Sequence, residues 1–123
     1  VESRGLGDVY KRQPPDYAAL LLMHLRGGMC DGGRVLSEEA VARAHADRVA
    51  TAYGANAGLA PGYGLGWWVN RQTGIISDGG AYGSLPWLDL EDGYGAYLVI
   101  EASSDLGSRM FAELEPVVEV AMT

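Results

Sequence analysis

The chain has 123 residues, a formal net charge of −7 at pH 7, 48% hydrophobic residues and a single cysteine. An acidic balance with no cluster of Lys and Arg argues against nucleic acid or an anionic membrane as partner, because both bind through gathered cations. No apolar run approaches the ~20 residues of a membrane-spanning helix. With Cys30 alone, and with His24 and His45 far apart at non-ligand spacing, there is neither a disulfide framework nor a zinc-ligand set, so no metal is expected.

Val1–Gln13, VESRGLGDVYKRQ, continue no apolar period and carry no cleavage site, so they are neither signal peptide nor anchor. Ser3–Gln13 resemble the in-frame translation of a transposon-based sequencing adapter. The only lysine, Lys11, falls inside this stretch, and every later base is arginine. Residues 1–13 are therefore read as an artefactual or disordered tail. Residues 14–123 carry six bases and fourteen acids, a formal charge of −8, and suffice for one small domain or part of a larger one.

After Pro14 and Pro15, residues Tyr17–Leu25 are apolar at nearly every position, and Gly27 and Gly28 follow; the pattern predicts a buried helix with a left-handed cap. Asp31-Gly32-Gly33 is turn chemistry. Ser37 can cap a second helix running to about Asp47, with Glu38 and Glu39 in its first turn. Thr51–Gly62, small residues with Gly and Pro, reads as a loop.

The second half changes period. Tyr63, Leu65, Trp67 and Val69 alternate with Gly64, Gly66, Trp68 and Asn70, which predicts one strand. Arg71–Gly74 is a turn, Ile75–Asp78 a second strand and Pro86–Leu90 a third. Tyr94–Ala102, apolar on both faces, reads as the strongest strand and as interior to the sheet. Asp105 can cap a closing helix whose stripe is Leu106, Met110, Leu114 and Val117 or Val118, with Pro116 kinking or ending it. The fold class is α/β: an antiparallel sheet of about four strands flanked by helices, with an apolar edge and a poorly covered face that call for further protein.

Three segments in this order, DYAALLLMHLRGGMCDGGRVLSEEAV, PGYGLGWW and SDGGAYGSLPWLDLEDGYGAYLVIEAS, resemble the C-terminal part of the β-lactamase-like serine hydrolases, the family of class C β-lactamases, low-molecular-weight penicillin-binding proteins and related esterases and amidases. The resemblance implies that residues 14–123 are the C-terminal part of such a catalytic domain. It implies hydrolysis of a small-molecule ester or amide through an acyl-enzyme, without cofactor, and it is compatible with a bacterial periplasmic or secreted location. The family nucleophile is the Ser of an S-x-x-K motif, helped by a Y-x-N motif. Neither occurs here, so this chain alone is expected to be inactive and to need an N-terminal part of the same domain.

The family's third motif, K-T-G or H-x-G, aligns with Asp78-Gly79-Gly80. Its glycine lets substrate lie against the strand, and the N–H of the next residue, Ala81, is the candidate oxyanion-hole donor. Asp78, Gly79, Gly80 and Tyr82 are the candidate substrate-binding residues. Asp78 stands where the family carries a cation that attracts a substrate carboxylate. A like-charge contact at about 4 Å and an effective dielectric of 20 costs about 4 kcal/mol before screening, so neutral or cationic esters and amides are expected over β-lactams. Asp78 is equally readable as a turn residue bonded to its own backbone, and Gly79 and Gly80 as parts of a bulge. Trp67, Trp68 and Trp87 line an acyl pocket or fill a core, and Asp89 and Glu101 read as solvated or pairing charges. Two rival readings stand beside this one: a catalytically dead relative that only binds, and an unrelated small structural or interaction domain that folds alone.

Overall fold

A computed structural model of the chain describes residues 14–49 and 61–123; the tail and most of the Thr51–Gly62 loop reading lie outside the described residues. Helix α1 (Pro14–Leu25) starts on two prolines, which a first turn tolerates because its N–H groups have no intrahelical acceptor. It ends where the glycines take left-handed φ of 58° and 97° at Gly27 and Gly28. The Gly28 N–H then reaches the Met23 carbonyl at 2.9 Å and the Gly27 N–H the His24 carbonyl at 3.2 Å, the two bonds of a Schellman closure. A two-strand hairpin, β1 (Met29–Cys30) and β2 (Gly33–Arg34), turns at Asp31-Gly32. Helix α2 (Glu38–His45) follows, with the Ser37 hydroxyl accepting the Ala40 N–H at 3.1 Å.

Five strands form one antiparallel sheet in chain order: β3 (Gly62–Tyr63), β4 (Trp68–Val69), β5 (Ile76–Ser77), β6 (Leu85–Asp89) and β7 (Tyr94–Leu98). The expected single strand Tyr63–Val69 is two. The chain reverses over Gly64–Trp67, with Gly66 at φ 85°, and Tyr63 pairs with Trp68. Glycine at alternate positions mimics a period of two while allowing a tight reversal. Trp67 is therefore buried and Leu65, expected on the same face, is exposed. The next turn is built as expected: the Asn70 side chain accepts the Gln72 and Thr73 N–H groups.

Strand β6 is buried at all five positions, and each face of the sheet has its own core. On one face, Leu21 of α1 meets Trp67, Ile76 and Leu88. On the other, Ile75, Leu85, Trp87 and Tyr94 meet Phe111 and Val118 of helix α3 (Ser104–Met122). Apolar residues on both faces of Tyr94–Ala102 suggested an interior strand, and the strand ends at Leu98. Here β7 is the outermost one, because helices cover both its faces while its far edge has no strand partner among the described residues.

Three further expectations need correction. Ser103, not Asp105, caps α3, its hydroxyl accepting the Leu106 N–H at 3.2 Å. Pro116 does not end the helix, which continues to Met122. Pro116 and Ala112, whose carbonyl loses its donor, are both exposed, so water can take the freed group. Of the expected stripe Val118 does face the core, together with Phe111, which was not in it, while Leu114 and Val117 are exposed. Helix α1 is likewise buried on one side only, with Leu20 and Leu22 exposed at 42% and 45%.

The two histidines, far apart in sequence, meet in space: His24 Nδ1 and His45 Nε2 are 2.9 Å apart, joining α1 to α2. Both rings stand edge-on to Trp67, at centroid distances of 5.1 and 6.0 Å. They pack against each other and against Trp67. Among the described residues no group of three or more His, Cys, Asp or Glu gathers to hold a metal.

Burial holds His24 below its ordinary pKa; burial and then the neighbouring His24 bring His45 from 6.5 to about 4. A histidine whose folded pKa is depressed lends stability that is complete above its unfolded pKa and is lost as pH falls toward the folded one. The urea midpoint should therefore drop between pH 6.5 and about 4, and the difference from a His24→Leu/His45→Leu double variant should shrink across that window. A second expectation concerns α3. A Cβ on Gly107 would fall on the Gly83 carbonyl, so Gly107→Ala should lower unfolding free energy by about 1–3 kcal/mol, as overpacking does.

Candidate functional site

The residues singled out by sequence lie just past the end of β5. Alternation along that strand sends Ile75 into the α3-side core and Ile76 into the α1-side core, so Ser77 faces α3 and Asp78 faces α1. The Asp78 N–H bonds the Pro86 carbonyl at 3.2 Å. Beyond it the chain folds back: the Gly80 N–H reaches the Ser84 carbonyl at 2.9 Å and the Gly83 N–H the Gly80 carbonyl at 3.0 Å. Ala81 and Tyr82 form the exposed tip. The Ala81 N–H has no hydrogen-bond acceptor among the described residues.

This tip is held from three sides. The Ala102 N–H bonds the Tyr82 carbonyl at 2.7 Å. Ser84 bridges to the chain after β7, its hydroxyl donating to the Ile100 carbonyl at 2.7 Å and accepting the Ile100 N–H at 3.0 Å. Gly83, at φ 98°, is buried against Gly107 of α3. Gly79 and Gly80 differ from Gly83. Neither has a positive φ, and an added Cβ would meet Leu85 at 3.6 Å or the Ser84 carbonyl at 3.5 Å, both ordinary contacts. The protein's own packing does not demand glycine there, and both glycines leave bare backbone on the wall of a cavity.

A cavity of about 240 Å³ opens on the α3 side, lined by Trp68, Ser77, Gly79, Gly80 and, from α3, Ser104 and Ser108. Trp68 is also part of the wall of a larger cavity of about 380 Å³ between the β4–β5 turn and α3. On the α1 side, strand register lines up three residues. Asp78 bonds Pro86 and Pro86 pairs with Tyr97, so all three project from the same face. The Tyr97 ring is stacked on Tyr17 of α1, with centroids 4.5 Å apart. Asp78 is exposed at the surface, and partial desolvation against the sheet raises its carboxyl above the ordinary carboxylate range. Burial first, then the Asp78 charge, then Tyr97 raise the Tyr17 phenol.

The structure thus brings together Asp78, Gly79, Gly80 and Ala81, and leaves Tyr82 72% exposed at the tip. Trp67 and Trp87 are core, on opposite faces; of the three tryptophans only Trp68 borders the cavity. Asp89 is not a solvated charge: it is buried and accepts the Glu91 and Asp92 N–H groups. Asp78 does not cap its own turn, since its side chain has no hydrogen bond or ion pair among the described residues. Sequence reading missed Tyr17, Tyr97, Ser104 and Ser108. A tyrosine in an apolar run carries no signal of its own, and its neighbour across the sheet is set by register alone.

No protein-family profile and no curated protein matches the chain. Among solved structures it is similar to the "Crystal structure of putative beta-lactamase from Bacteroides dorei DSM 17855", with a TM-score of 0.57 and 31% identity. The match covers 80% of this chain and 37% of that one, so this chain spans little more than a third of the structure it matches. Its architecture, a five-stranded antiparallel sheet between helices, is similar to a β-lactamase fold. Among the described residues no helix is long and apolar enough to cross a membrane.

The Ser84 bridge gives this region its testable feature. Ser84→Ala leaves the Ile100 N–H and carbonyl without their partner and should cost about 1–3 kcal/mol. Amide hydrogen exchange should accelerate at Gly80–Gly83 well before it does in β6.

Proposed function

We propose that residues 14–123 are the C-terminal part of a serine-hydrolase catalytic domain that cleaves a small-molecule ester or amide by acyl transfer. The observation that carries this reading is the Ala81 N–H: exposed, unpartnered among the described residues, and held at a tethered tip beside the bare backbone of Gly79 and Gly80. A serine hydroxyl attacking the substrate carbonyl creates an oxyanion, and a fixed donor aimed at that oxygen stabilises it without reorganising. Collapse expels the alcohol or amine, and water then releases the acid from the seryl ester. The nucleophile comes from elsewhere in the domain, because the sequence holds neither S-x-x-K nor Y-x-N. Exposed Leu20 and Leu22 on α1, and Val117, Val120 and Met122 on α3, support a piece that packs against more protein.

Asp78 sets the preference. A substrate carboxylate placed beside it meets like charge, about 4 kcal/mol at 4 Å and an effective dielectric of 20, which disfavours penicillins relative to neutral or cationic esters and amides.

The test begins with the coding sequence upstream of Pro14 in the source DNA. In-frame S-x-x-K and Y-x-N motifs are expected. The encoded domain should hydrolyse p-nitrophenyl esters faster than benzylpenicillin, and Ala81→Pro, which deletes the N–H, should cut kcat by roughly 10²–10³-fold. An upstream sequence without S-x-x-K would replace this reading with a catalytically dead relative that only binds. Cooperative unfolding of residues 14–123 as a soluble monomer would instead favour a self-sufficient small domain.

A further inference from the structure

Asp78 is one of several exposed acids without a protein partner among the described residues, and what sets it apart is the tyrosine stack next to it. Asp47 pairs with Arg71 at 2.6 Å, Asp31 with Arg26 at 3.1 Å, Glu38 with Arg34 at 3.4 Å and Asp105 with Arg109 at 3.3 Å. Asp89 spends its carboxylate on two backbone N–H groups. Asp78 has neither kind of partner among the described residues, although it is held next to an aromatic stack. Through Pro86 it is in register with Tyr97, and Tyr17 lies on Tyr97 at 4.5 Å.

A lone carboxylate beside two phenol rings suits one ligand chemistry. The carboxylate supplies a full negative charge, and the ring face that each tyrosine leaves outside the stack attracts a cation through its quadrupole. An anion would be repelled by the carboxylate, and a neutral group would leave that charge without a partner.

We propose that Asp78, Tyr17 and Tyr97 form a subsite for an ammonium group of the substrate, so that the substrate class is esters or amides bearing a primary amine. The inference rests on the acyl-transfer reading for its choice of substrate, with the scissile carbonyl at the Ala81 N–H. At about 3.3 Å per residue the Cα atoms of Asp78 and Ala81 are at most roughly 10 Å apart. An amine carried several bonds from the carbonyl, as on a lysine-like chain, spans that distance more fully than an α-amino group does. Tyr17 acts as a specificity residue, reaching the site from α1 while the remaining groups come from the sheet.

The experiment uses the domain encoded together with its upstream sequence, labelled with ¹³C-tyrosine and titrated with 6-aminohexanamide and with its neutral counterpart, hexanamide. The charged amide should shift the Tyr17 and Tyr97 ring signals saturably, and hexanamide should leave them in place. Asp78→Asn should weaken binding at least tenfold, Asp78→Glu should retain most of it, and Tyr17→Ala should weaken it more than Tyr17→Phe; circular dichroism checks that each variant is folded. Equal binding of the two amides overturns the proposal without recourse to any variant, as does a folded Asp78→Asn chain that binds like the parent. Binding here requires no nucleophile. Failure of the subsite therefore leaves ester hydrolysis by the longer domain standing, and failure of that hydrolysis leaves a measured ammonium subsite.

Discussion

Strand β6 is the element against which the rest of the chain is placed. Its five residues are all buried, with Leu88 at 0% and Trp87 at 2% exposure, and they point alternately into two separate cores. Fully burying one large apolar side chain is worth about 1.5–3 kcal/mol, so a strand that buries both faces accounts for much of the stability of so small a piece. It can do so only while α1 lies on one face and α3 on the other. Register follows from the same fact, because a slip of one residue would send Trp87 to the α1 side and Leu88 to the α3 side.

That register places the site. Ile76 pairs with Leu88 and Ser77 with Trp87, so the next residue, Asp78, must emerge on the α1 face, and the chain must then leave the sheet over Gly79 and Gly80. What would otherwise be a loose loop is fastened by the Ser84 bridge to Ile100 and by the close approach of Gly83 to Gly107. The backbone that faces a substrate in the proposed reaction is thus held by parts of the molecule that do not touch it. Rigidity of this kind is what an electrostatic donor needs, since a donor that had to reorient would forfeit its advantage.

Charge is distributed with the same division of labour. The partly buried Asp47–Arg71 pair and the Asp89 turn cap serve the fold, and the remaining pairs lie at the surface, where they contribute little. The His24–His45 contact ties α1 to α2 while both rings stay neutral, which makes this junction the acid-sensitive one. Asp78 keeps an exposed carboxylate just past the end of β5, with no hydrogen bond or ion pair among the described residues. Leu20 and Leu22 on α1, and Val117, Val120 and Met122 on α3, remain as exposed apolar residues.

The fold and the site were not legible to the same degree. Both main helices, the turn at Asn70, the Schellman glycines and strands β5 to β7 follow from local chemistry: apolar runs, capping hydroxyls and glycines that alone accept left-handed φ. The Asp78-Gly79-Gly80-Ala81 segment could be singled out because its residues are contiguous and the role proposed for it lies largely in the backbone. Local pattern failed where one signal serves two structures. Alternating glycines hid the reversal between β3 and β4, and apolar residues on both faces could not reveal that β7 is outermost. Contacts that depend on how α1 crosses the sheet had no trace in the sequence: His24 on His45, Tyr17 on Tyr97 and, through Pro86, Asp78 beside them. Residue type and spacing determine which backbone conformations are cheap, and so they determined the elements and the bare glycine strand. Packing of helix on sheet decides which distant side chains share a space, and so it alone decided what surrounds Asp78.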